Sequence, residues 1–269
     1  MCYLNLSRIV EIADRLFPFE LAETWDNCGI QIGDPDRTIS AMAFSLDATP
    51  RTVMFARDHS CELLVTHHPV LVEPIRSIVP DSLAGRTLLA AGRFGVDILS
   101  LHTNLDAAQG GLNDKLAETL GLQAVSTPGT ATCARVGRLV PAVTLFRFAD
   151  MVAERLQISR PRIISPMDCS VETVFCASGS GMGYLREAIT SRADVMLTGD
   201  VRYHAAREAL EMGMPVIDAG HFGTERLAVE LMADRFAEEF RRMNIEIACH
   251  RCDFESEPFV DIIDRKEDY

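Results

Sequence analysis

Apolar residues recur along this chain in two rhythms. Near the start, Ile9, Ile12, Ala13 and Leu16 follow the spacing of one helix face. Ser7 is placed to cap that helix and Pro18 to follow its end. A polar, turn-forming stretch comes next, Glu23-Thr24-Trp25-Asp26-Asn27-Cys28-Gly29, around the only tryptophan. Short apolar runs then alternate with helical ones. Strands are predicted at 41–46, 63–66 and 96–101, and helices at 50–59, 81–92 and 111–120, the last closed by Gly121. This βαβαβα order predicts a mostly parallel sheet with helices packed on it.

A less regular middle holds Pro128, Gly129, Gly137, Pro141, Pro161 and Pro166. The alternation then returns, with strands at 174–177, 195–198 and 215–219, helices at 184–192, 201–212 and 224–240, and a last strand at 245–248. The expected architecture is α/β, two related βαβαβα halves with mostly parallel sheets flanked by helices. The halves are placed at 1–125 and 126–269, with the boundary open and intercalation allowed. Polar residues at matching strand ends suggest a diverged duplication: Thr66-His67-His68 against Thr198-Gly199-Asp200, and His102-x-x-x-Asp106 against His221-x-x-x-Glu225.

Composition narrows the function classes. At 269 residues and 48% hydrophobic, the chain is too apolar to be disordered and long enough to bury a core. Its net charge of −13 lacks the basic footprint of a general nucleic-acid binder and opposes docking on anionic membranes. No apolar run reaches the ~18 residues of a membrane span, and the first residues lack the apolar core of an export signal. The eight cysteines are scattered, so reduced thiols and a cytoplasmic location are expected.

Of seven histidines, His67, His68, His102 and His221 fall just past predicted strand ends. Sites in open α/β sheets form beyond the carboxyl ends of the strands. His102 and Asp106 lie four apart, as do His221 and Glu225, so a helical turn puts each pair on one face. Six donors exceed what a single zinc uses and suit two ions. Four imidazoles favour zinc, iron, manganese, cobalt or nickel over magnesium or calcium.

These residues also form motifs: Glu23-Thr-Trp25-Asp26-Asn27-Cys-Gly29, Thr66-His67-His68-Pro69, His102-Thr-Asn104-Leu-Asp106 with Gly110-Gly111-Leu-Asn113-Asp114, Thr198-Gly199-Asp200 with Tyr203-His204, and Asp218-Ala-Gly220-His221-Phe-Gly-Thr224-Glu225. In that order the chain resembles the Nif-three-like family, whose members are often named GTP cyclohydrolase 1 type 2 homologs. The resemblance runs from the first helix to about Phe240. It implies two related α/β halves, a dinuclear metal centre and a ring-shaped homohexamer, with His67, His68, His102, Asp106, His221 and Glu225 as ligands. Two positions depart from the family's pattern. Thr66 stands where Ser is frequent, and Phe222 where Tyr is common. The stretch between Gly121 and Val174 is too short for the extra domain some members carry.

Other residues admit two readings each. His204 is a general acid/base or an orienter of another group, or else a helix-surface histidine; Asp200 can orient His204 or a metal-bound imidazole. Trp25, Asp26 and Asn27 form a substrate wall, or a packing tryptophan beside a capping aspartate. Gly179, Gly181 and Gly183 offer amides to an anionic substrate group, or form a plain tight turn. Cys249-His250-Arg251-Cys252 lacks the second cysteine pair of a zinc ribbon. Two functions remain open: a dinuclear-metal hydrolase acting on a small molecule such as a nucleotide, and a non-catalytic metal-handling or regulatory protein.

Overall fold

The computed structural model describes residues 4–165 and 167–259. Pro166 and Cys2, one of the eight cysteines, lie outside them. The chain divides into two compact units, Met1–Leu112 with Arg226–Glu255, and Asn113–Glu225 with Ser256–Tyr269.

The first unit is built on a five-stranded sheet in the order Ala248–Arg251, Ala41–Ser45, Leu63–Thr66, Asp97–Ser100, Gly29–Ile32. The first four strands are parallel to their neighbours and the last is antiparallel. Strands 41–45, 63–66 and 97–100 are buried at every position, as expected of parallel strands covered on both faces. Helix Pro50–Asp58 starts from a reciprocal cap between Thr49 and Thr52 with Pro50 in the first turn. Helix Leu83–Phe94 ends at Gly95, whose φ of +67° is left-handed and suits glycine.

The first helix, Leu6–Leu16, is capped by Asn5 and not by Ser7. The Asn5 side-chain oxygen accepts from Arg8 N at 3.0 Å, while Ser7 lies inside the helix and donates to Pro35 O. Leu6 is fully buried, so the apolar stripe begins before Ser7. Residues 226–255 come late in the chain yet fold with the first unit. Helix Leu227–Arg242 buries Met232, Phe236 and Phe240, and Phe236 packs on Phe44 with ring centroids 5.7 Å apart. The strand after it is Ala248–Arg251, further along than the expected 245–248. Ile245 N still closes the helix on Phe240 O, and pairing starts only at Ala248 opposite Ala41.

The second unit carries a six-stranded sheet in the order Gln123–Ser126, Arg135–Thr144, Ser170–Cys176, Val195–Thr198, Val216–Asp218, Arg162–Ile164. The inner strands 170–176, 195–198 and 216–218 are parallel, and the flanking pairings are antiparallel. The middle that looked irregular therefore contains strands and an amphipathic helix, Leu145–Leu156, capped by Thr144. Gly137 and Pro141 hid the long strand 135–144. Pro141 falls where the register with strand 170–176 shifts, a place where its missing N–H is tolerated. The expected helix at 184–192 begins instead as a 3-10 turn, Gly181–Tyr184, before Leu185–Thr190. Both units thus repeat three parallel strands joined by helices, giving an α/β fold. Among the described residues no helix is long and apolar enough to cross a membrane.

Candidate metal centre

In the first unit, three strands end at one edge. Thr66 closes the middle strand; its hydroxyl lies 2.8 Å from Ser100 Oγ and donates to His68 O. His67 N and His68 N then bond to Ser45 O and Leu46 O, so the histidine pair follows the end of strand 41–45. His102 leaves strand 97–100 and caps the short helix Thr103–Ala107, which carries Asp106 one turn on. As a result His67, His68 and His102 each offer a ligand atom within 4.8 Å of the others. His67 Nε2 lies 3.8 Å from Asp106 Oδ1.

Each ring is held through its Nδ1. His67 Nδ1 meets Leu101 O at 2.9 Å, His68 Nδ1 meets Asp47 Oδ1 at 2.8 Å, and His102 Nδ1 meets Asp26 Oδ1 at 2.9 Å. A carbonyl or carboxylate oxygen can only accept, so Nδ1 carries the proton and Nε2 keeps its lone pair for a metal. Asp26 is the most strongly built of these partners. Its side chain is fully buried and also accepts from Thr103 N, Thr103 Oγ1 and Cys28 Sγ. Burial alone would raise its pKa. The hydrogen bonds from His102, Thr103 and Cys28 outweigh it and hold the carboxyl well below the usual range. Asp26, expected to line the substrate, is thus placed on the imidazole of His102, a candidate ligand.

Asp47 was not foreseen. It stands two residues past strand 41–45, the edge where the other candidates were sought, and that position was the available signal. Glu255 extends the arrangement, accepting from Leu46 N at 2.7 Å and Asp47 N at 3.0 Å. Its own pKa is raised, chiefly by burial.

The second unit presents a matching pair. His221 opens a short helix, His221–Glu225, and its Nε2 lies 2.8 Å from Glu225 Oε2. Glu225 ends this separate helix; it was expected in the first turn of the long one, which starts only at Leu227. His221 Nδ1 contacts Asp200 Oδ2 at 2.8 Å. Asp200 has a φ of +54°, a strained conformation for a non-glycine residue. Asp218 holds the flanking backbone, accepting from Gly220 N at 3.0 Å and Val201 N at 3.2 Å.

Gly179 has a φ of +57°, and a Cβ there would run into Glu225 Oε1. Its N–H donates to Thr224 Oγ1, and that of Gly181 to Thr198 Oγ1. These two amides are thus engaged within the unit, and Gly183 lies in the 3-10 turn. His204 is exposed on helix Tyr203–Glu211, edge-on to Tyr203. Trp25 is 59% exposed, and Asn27 Nδ2 donates to Leu71 O at 2.6 Å. In strand 248–251 Arg251 pairs with Glu230 and Asp234, and His250 packs on His59. Burial pushes the Cys249 thiol up to about 11 and Cys252 higher still, which disfavours thiolate ligands there.

A model of the family described as Duf34/NIF3 (NGG1p interacting factor 3) matches residues 4–258. A Clostridium perfringens protein named GTP cyclohydrolase 1 type 2 homolog is 30% identical over 228 residues, 82% of this chain and 87% of that protein. A Streptomyces coelicolor protein of the same name is 31% identical over 257 residues, 91% and 90% of the two chains. Among solved structures, a Bacillus cereus protein related to NIF3 superposes with a TM-score of 0.91 at 20% identity, covering 97% of this chain and all (100%) of that one. Reduced HcgD from Methanocaldococcus jannaschii gives 0.80 at 27% identity, covering 94% and 100%.

Proposed function

The chain belongs to the Duf34/NIF3 family, and we propose that it is a metal-dependent hydrolase acting on a nucleotide or related small molecule with two divalent ions per chain. The observation that carries the reading is the trio His67, His68 and His102, gathered within 4.8 Å with every Nδ1 already held by an acceptor. Imidazoles fixed in this tautomer fit a metal-binding role. The name shared by the curated relatives suggests the substrate class.

The proposed ligands are His67, His68, His102 and Asp106 in the first unit and His221 and Glu225 in the second. The donor set suits zinc, iron, manganese, cobalt or nickel. Bound divalent ions supply Lewis acidity and activate water at neutral pH. The chain's own part is to fix the donors. Asp26, Asp47 and Asp200 orient three of the imidazoles, and Leu101 O orients the fourth. His204, exposed four residues after Asp200, is the residue assigned to move a proton. The accompanying assembly is a homohexamer, measurable by sedimentation.

The test is metal analysis of protein purified without chelators, followed by assays on GTP, cyclic nucleotides and phosphoesters. Two ions per chain are expected, with turnover lost in His67→Ala and Glu225→Ala. Metal-free protein, or turnover that survives either change, overturns the reading.

A further inference from the structure

Trp25 stands on an arm pinned at three points. Glu23 N donates to Thr103 Oγ1 at 2.9 Å, the buried Asp26 carboxylate holds His102 and Thr103, and Asn27 Nδ2 reaches Leu71 O. Gln31 braces the same arm, donating to Asn27 O at 2.7 Å and accepting from Leu71 N at 3.1 Å. The arm is therefore rigid, yet the tryptophan it carries is 59% exposed. Leaving so large an apolar ring in water forgoes much of the stabilisation its burial would give.

The ring meets His102 edge-on, with centroids 5.9 Å apart and planes at 80°. His102 thus packs against one side of the ring, which remains beside the histidine trio with exposed surface to offer. Val72, which follows the Leu71 carbonyl that holds Asn27, is exposed as well. A site meant only for phosphate would present donors and cations here. This one presents an anchored aromatic ring.

We propose that Trp25 is a stacking platform for a planar heteroaromatic ring, the base of a nucleotide substrate, and so sets specificity at the histidine trio. This rests on the hydrolase reading and names the part of the substrate that the metal ligands do not recognise. Stacking is sequence-tolerant because every base has a π-face, so Trp25 selects for a base without choosing which one.

The chain has one tryptophan, so its fluorescence reports on this ring alone. Metal-loaded protein is titrated with GTP, ATP and inorganic tripolyphosphate, and bound metal is counted on the same samples. A nucleotide is expected to quench the emission and tripolyphosphate to leave it unchanged. By direct binding measurement, Trp25→Leu is expected to weaken nucleotide affinity roughly tenfold while tripolyphosphate affinity holds, and Trp25→Phe to restore most of the loss. Equal responses to nucleotides and tripolyphosphate, no response to any of them, or unchanged nucleotide affinity in Trp25→Leu overturns the proposal. Two ions per chain without nucleotide quenching sinks only the stacking role. Quenching in protein that holds no metal sinks the hydrolase reading and leaves the platform standing.

Discussion

His102 is oriented by a carboxylate that lies far from it in sequence and against it in space. Asp26→Asn keeps the shape but removes the charge, and metal affinity is expected to fall roughly tenfold to a hundredfold, read by competition with a chromogenic chelator. The same carboxyl gives a pH signature. Its folded pKa lies below its unfolded value, so its contribution to stability is full above the ordinary carboxylate range and is lost as pH falls through the folded value. Denaturation midpoints of Asp26→Asn should therefore approach those of the parent as the solution is acidified well below pH ~4. At Gly179 a side chain would meet Glu225 in a left-handed backbone. Gly179→Ala should lower stability by more than about 1 kcal/mol in chemical denaturation. The candidate ligands were legible because histidine and carboxylate spacing reports helical faces. Asp47 was not, because its role depends on where His68 is carried by another strand.

Elements tell a similar story at a longer range. Helix 50–58 was expected from its place in the apolar pattern, and the structure adds two local features, Pro50 in the first turn and a Thr49 cap. Thr49→Ala removes one half of that cap and should cost about 1 kcal/mol. Helix 227–242 was readable as a helix, but not as part of the first unit, since periodicity shows which face is apolar and not what will cover it. Its Phe236 is fully buried and packs on Phe44. Phe236→Ala should destabilise by about 3–5 kcal/mol, with the transition measured by urea unfolding. The long strand 135–144 was missed because glycine and proline read as breakers in a sequence, whereas an irregularity in the pairing accommodates the proline.

At the scale of the whole molecule, bound metal should stabilise the folded state by mass action, since the unfolded chain cannot hold its donors together. Chelator treatment is expected to lower Tm and readdition of zinc or manganese to restore it; an unchanged Tm would count against a metal centre in the native protein. The α/β class, the repeated strand–helix order and the histidines gathered at strand ends were all written in the sequence, because burial periodicity and local caps act over a few residues. Only the tertiary structure decided that residues 226–255 complete the first sheet, and which aspartate holds which imidazole. Those choices depend on contacts between segments far apart in the chain, which no local pattern encodes.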